Sequence, residues 1–240
     1  MKKIYINQIQ KELKIYTLSV VALCSLQLIC NVLEPGKINL YFFFVPTSAL
    51  YYVISFVISG IIVEEYGFKM AVKATYYNVI SQIIFCGIAF VTLQFLKPTY
   101  TSYGVKVSQD YFFHFLSLEL FGSLLSLVVS KVTTEYIVEK LRSFLILSPF
   151  WIRLTIATII GEIVMLNIDY NITFFKSKNI HEIEFLVLGA MVYKTIAALL
   201  LSYPATIIKN IISKQVVLLK DNSTNKRYLK ELIEVVIWKS

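Results

Sequence analysis

The stretch WIRLTIATIIGEIVMLNID, Trp151 to Asp169, decides how the whole chain is read. From Leu154 to Ile168 its residues are apolar or small apart from Glu162 and Asn167, and about 20 such residues suffice to cross a ~30 Å hydrocarbon core. A carboxylate in the middle of such a segment costs about 2.5 kcal/mol or more, so Glu162 is expected to face a partner, a cavity or a substrate rather than lipid.

The composition agrees. Of 240 residues 57% are hydrophobic and only 16% charged, against roughly 45–50% apolar in soluble domains. The expected fold class is therefore all-α, a polytopic integral membrane protein of about six transmembrane helices. Cys24, Cys30 and Cys86 lie in apolar runs with no CxxC pair and no Cys/His cluster, so neither a metal site nor a disulfide is expected. There is no Walker-type glycine loop and no convincing nucleophile–base pair, which argues against an enzyme and implies no cofactor.

Further spans are predicted at about Ile15–Leu33, Leu40–Val63, Thr75–Leu96, Tyr111–Val132 and Phe185–Ile212. The first ends at Glu34-Pro35-Gly36, a turn signal, with Asn31 as a polar residue near its close. In the second, Pro46-Thr47 predicts a kink or break that frees backbone groups for packing or for a cavity. Glu64 to Lys69 reads as a short polar turn in which Gly67 supplies backbone freedom. Asn78 and Gln82, four apart, share a face suited to bonding between helices. In the fourth span Glu119 lies deep, His114 sits among aromatic residues, and Lys131 is placed to snorkel toward the charged segment Glu135–Arg142. In the sixth, Lys194 lies well inside, placed either to neutralise Glu162 or Glu119 or to snorkel. Residues 1–212 are thus expected to form the membrane domain and 213–240 a basic cytoplasmic tail, whose segment Arg227–Trp238 has an amphipathic pattern.

Several of these features together resemble a family. Asn31 late in the first span, Pro46-Thr47 in the second, then Glu64, Tyr66-Gly67, Lys69 and Ala71 have the spacing seen in the vitamin uptake transporters, a group better described as queuosine-precursor transporters. Trp151, Arg153, Ala157-Thr158 and Glu162 match the family's entry to the fifth helix, with Glu in place of its Gln. Lys194 and Ser202-Tyr203-Pro204 resemble its last helix. Met165 and Gly60 stand where that family has Asp.

The resemblance implies a transporter importing a 7-deazaguanine-type queuosine precursor or a similar small vitamin-like solute. An alternative is the substrate-binding membrane subunit of an energy-coupling vitamin importer, and a structural membrane protein would instead use the same charges to join helices. The substrate-binding candidates are Glu162, Asn31, Thr47, Glu64, Tyr66, Thr158 and Lys194. A carboxylate such as Glu162 can accept an N–H and an NH2 from one edge of a deazaguanine. The expected partners are that small solute and the lipid bilayer, with no nucleic acid; a homo-oligomer is compatible with this reading.

The net charge of +8 follows from topology. With six spans and both termini cytoplasmic, sixteen Lys and Arg fall inside, including the seven from Lys209 onward, and five (Lys37, Lys97, Lys106, Lys176, Lys178) fall outside. That asymmetry is what cytoplasmic loops show. A bacterial inner membrane is the expected location.

Overall fold

The computed structural model of the protein describes residues 2–33, 37–40, 43–96, 109–145, 147–174 and 180–217. Six helices make up the bundle: α1 (Lys2–Leu33), α2 (Ala49–Tyr66), α3 (Phe68–Leu96), α4 (Gln109–Phe144), α5 (Phe150–Phe174) and α6 (Ile180–Val217). By length and composition, α1, α2, α5 and α6 contain segments apolar enough to cross a membrane. The protein is an all-α, multi-pass membrane protein.

Between α1 and α2 the chain departs from the expected pattern. Strands β1 (Lys37–Leu40) and β2 (Phe43–Pro46) pair antiparallel, Ile38 opposite Val45 and Asn39 opposite Phe44, and β2 runs beside α6. The alternation of Lys37, Ile38, Asn39 and Leu40 has the period of a strand, and Phe43, Phe44 and Val45 favour extended backbone. The second span consequently starts at Ala49 rather than Leu40, and Pro46-Thr47 precedes this helix instead of breaking it. Proline suits that place because a strand end requires no further N–H from it.

The other boundaries extend those expected. Helix α1 includes the polar stretch before Ile15, α4 runs twelve residues past Val132 to Phe144, and α6 continues to Val217. Glu64, Glu65 and Tyr66 form the last turn of α2, and Gly67 alone separates it from α3. Its φ of 85° and ψ of 168° belong to glycine, and its N–H closes α2 on the Val63 carbonyl at 2.8 Å. The side chains of His114 and Glu119, and the chain beyond Val217, lie outside the described residues.

Helix α2 is the centre of the bundle. It contacts all five other helices, and 67% of its span is buried against 22% for the spans of α1 and α6. The outer helices have two faces. On α6, Leu188, Val192, Ile196, Leu200 and Tyr203 point outward while Ala190, Lys194, Ala198, Ser202 and Ala205 are buried. On α3, Tyr76, Ile80, Ile83 and Ile84 are exposed while Ala71, Ala74, Thr75, Asn78 and Gln82 are buried. Such broad apolar outer faces suit lipid, and the small inner residues let helices approach closely.

Two glycines set the closest approaches. A Cβ on Gly60 would collide with the Leu154 side chain; one on Gly161 would collide with Thr134 Oγ1 and lie 3.2 Å from the Ser130 carbonyl oxygen. These positions bring α5 against α2 and α4. At the Gly67 end, Glu64 Oε1 binds Arg153 at 2.8 Å and lies 3.9 Å from Lys209 Nζ, while Arg142 donates to the Glu64 carbonyl at 3.1 Å. One acid thus joins α2 to α4, α5 and α6.

Gly161→Ala is expected to destabilise the purified protein in detergent by about 1–3 kcal/mol, the usual cost of overpacking. Gly87→Ala, where a Cβ meets nothing within 4 Å, should leave the melting temperature equal or slightly raised. Glu64→Gln and Arg153→Gln should each lower the melting temperature, and the double variant should cost clearly less than the sum of the two, because removing either partner strands the other. Additive losses would show that the pair does not act as a unit.

Candidate substrate site

The helix that decides the sequence reading delivers Glu162 to the bundle interior. Glu162 Oε2 accepts a 2.7 Å bond from Lys194 Nζ, with only 3% and 5% of the two side chains exposed. Of the two acids proposed as Lys194's partner, Glu162 holds this bond. The ammonium also lies 5.2 Å from the centre of the Tyr52 ring on α2, a favourable cation–π placement. Glu162 Oε1 is buried without a hydrogen-bond partner, and so is Thr158 Oγ1 one turn earlier on α5.

A second charged pair occupies α4. Lys131 does not snorkel and Glu135 does not belong to a surface segment, for both are fully buried. Glu135 Oε1 accepts from Ser59 Oγ at 2.5 Å and from Thr75 Oγ1 at 2.6 Å, while its Oε2 has no partner. Lys131 Nζ donates to the Ser55 carbonyl at 3.4 Å and lies 5.4 Å from the Phe56 ring centre. The residues had looked peripheral because the apolar run thins after Val132. A signal was present in Ser126, Ser130 and Thr134, which repeat every four residues and mark a continuing inward face.

Helix register brings these groups to one level. Tyr16 bonds the Met70 carbonyl at 3.0 Å and Asn31 Nδ2 bonds Gln82 Oε1 at 3.2 Å, so α1 and α3 run parallel. Gln27 and Asn78, each one turn before those last two, therefore face the same level. All four polar atoms of Gln27 and Asn78, and Gln82 Nε2, are buried without partners. Helices α3 and α4 run antiparallel from the Thr75–Glu135 bond, which sets Asn78 level with Lys131. Buried polar groups are ordinarily bonded, and this layer holds most of those that are not; Glu64 Oε2, Glu139 Oε2, Arg153 Nε and Thr155 Oγ1 are the others among the described residues.

The structure thus gathers Glu162, Lys194, Thr158 and Asn31 in or at the rim of this layer. Asn31 is bonded across to α3. Thr47 lies outside, five residues before Tyr52, in the turn that precedes α2. Glu64 and Tyr66 are at the far end of α2. Arg153, which binds Glu64, is nine residues before Glu162, about 13 Å along α5. Tyr66 packs edge-on against Tyr16 at 5.3 Å, and its hydroxyl lies 3.5 Å from the Glu12 carbonyl. Sequence reasoning missed Gln27, Lys131 and Glu135.

Residues 46–208, from the end of β2 through most of α6, match the family model described as "Putative vitamin uptake transporter". No curated protein and no solved structure matches the chain. The matched region includes Glu162, Lys194, Lys131 and Glu135 and covers more than half of the 240 residues. The chain belongs to the vitamin uptake transporter family.

Proposed function

We propose that this protein imports a queuosine precursor of the 7-deazaguanine type, or a similarly small vitamin-like solute, across a bacterial inner membrane. The observation that carries this reading is the layer of buried, unpartnered donors and acceptors at the level of the Glu162–Lys194 pair. A planar base with N–H, NH2, ring-nitrogen and carbonyl groups around its rim is the kind of ligand that satisfies both signs of hydrogen-bonding group at once. In the proposed complex Lys194 holds Glu162 Oε2, which fixes the carboxylate, and Oε1 accepts from the base. The remaining lone pair on Oε2 takes a second N–H. Thr158, Asn31 and the Tyr52 ring then contact the rest of the solute.

Glu64, Tyr66 and Thr47 have a different part in this reading. Glu64 and Tyr66 hold helix ends together away from the base, and Thr47 stands at the opposite entrance. The charge asymmetry supports a topology with both termini in the cytoplasm, a membrane domain over 1–212 and a basic tail over 213–240.

Uptake is tested in a bacterial strain that neither makes nor imports queuosine precursors, by reading the queuosine content of its tRNA. The chain should restore it, and Glu162→Gln should lower initial uptake roughly 10- to 100-fold, the effect of losing one hydrogen bond to a charged group, with membrane levels unchanged. Wild-type uptake by Glu162→Gln would remove Glu162 from the site. Restoration that appears only when an ATPase partner is co-expressed would identify the chain as the membrane subunit of an energy-coupling importer. Reporter fusions at both ends should be active in the cytoplasm only, and periplasmic activity at either end would overturn the topology.

A further inference from the structure

We infer that Lys131 and Glu135 of α4 form a second recognition point, taking a solute edge that carries an acceptor and a donor side by side. The inference rests on the transporter reading above and adds the part of the ligand that Glu162 does not meet.

Both residues are fully buried, yet they make no ion pair within 4 Å with each other or with another described residue. The Lys131 ammonium has three donors, of which one long bond to the Ser55 carbonyl uses one. Glu135 is held from one side, Ser59 and Thr75 both donating to Oε1, so its Oε2 is oriented and left open. Two opposite charges one turn apart on the same helix would be cheapest closed on each other, since an isolated buried charge is far costlier than a pair. Here the carboxylate is bonded on one oxygen and open on the other, with an under-bonded ammonium one turn away.

One turn separates their Cβ atoms by about 5–6 Å, so both reach the same edge of a flat ligand. The ammonium can only donate and an ionised carboxylate can only accept. The complementary edge therefore has a bare ring nitrogen or carbonyl beside an N–H. In a 7-deazaguanine the pyrimidine nitrogen next to the pyrrole N–H is such an edge, and it adjoins the edge assigned to Glu162. The unpartnered amides of Gln27 and Asn78 lie at the same level, ready for the ring's remaining groups. The four charges of this layer, Lys131, Lys194, Glu135 and Glu162, sum to zero, which favours a ligand without net charge. A sugar on the pyrrole nitrogen would remove the donor and collide with Glu135, so the site selects the free base over its nucleoside.

The first test needs no knowledge of the solute. With Cys24, Cys30 and Cys86 replaced by Ala, Glu135→Cys in membrane vesicles should react with aminoethyl methanethiosulfonate, whereas Ala157→Cys, equally buried but in an apolar cluster, should not. Absence of reaction at both Lys131→Cys and Glu135→Cys would mean a sealed packing pair and would overturn the inference. The second test is equilibrium binding of tritiated 7-deazaguanine to the purified full chain. Lys131→Gln and Glu135→Gln should each weaken binding at least tenfold, and 7-deazaguanosine should fail to compete. Unchanged binding in both variants, or equal competition by the nucleoside, would overturn it. If the single variants do not fold, Lys131→Glu combined with Glu135→Lys restores the charge balance. A folded double variant without binding supports recognition, and one that binds like the wild type refutes it. Reactive cysteines at 131 and 135 together with no binding of 7-deazaguanine to the wild type would reject the solute proposed above while supporting a water-accessible site on α4.

Discussion

Two opposite charges at 2.7 Å in the interior of a membrane bundle, Glu162 and Lys194, constrain everything packed around them. Neither can be moved into lipid at acceptable cost, and removing one strands the other, so α5 and α6 are locked in register at this pair. The rest of α6 is built to permit that approach: its inner face is Ala190, Ala197, Ala198, Ser202 and Ala205, which leave room for the lysine stem. On the other side of Glu162, Gly161 lets α5 lie against the Ser130 carbonyl of α4. A larger residue there would push the carboxylate away from the bundle axis.

Helix α2 mediates between the two charged pairs. Tyr52 and Phe56 are one turn apart, and each receives an ammonium over its ring, Lys194 from α6 and Lys131 from α4. The aromatic faces return part of the hydration the lysines lose, without supplying a competing carboxylate. Ser55 and Ser59, on the same helix, provide a carbonyl for Lys131 and a hydroxyl for Glu135. The central position of α2 is thus a consequence of its short polar side chains as much as of its hydrophobicity. It can be surrounded on all sides because it has something to offer each neighbour.

The helical architecture and the inward direction of Glu162 and Lys194 were legible in the sequence, because a charge in a long apolar run has few physical solutions. The polar pairing of α3 was legible too, from the i, i+4 spacing of Asn78 and Gln82, of which Gln82 bonds Asn31. What was not legible depended on partners remote in sequence. Lys131 and Glu135 looked like a helix end because hydropathy falls after Val132, and only Ser59 and Thr75, 76 and 60 residues away, account for an acid at that depth. Glu64 and Tyr66 belong to a recognisable motif, but the motif does not say at which level of the bundle they lie. The hairpin of Lys37–Pro46 was hidden by its own apolarity, since a short apolar run does not by its hydropathy distinguish strand from helix.

The contrast between the two ends of α5 bears on why these charges are present at all. Around Glu64 the carboxylate is shared by Arg153 and Lys209, and the neighbouring carbonyl binds Arg142, an arrangement that suffices to fasten four helices. About 13 Å further along α5 the charges are deeper, and more groups lack a partner: Glu162 Oε1, Glu135 Oε2 and the amides of Gln27 and Asn78, against Glu64 Oε2 and Arg153 Nε in the outer cluster. Well-packed apolar residues are often at least as stable as a buried ion pair, so stability alone does not account for keeping four charges and these amides in one layer. On the proposed function, a solute that enters, bonds to these atoms and leaves accounts for it. The incompleteness is then a functional property of the layer, because a site whose groups were already satisfied by one another would have nothing left with which to bind.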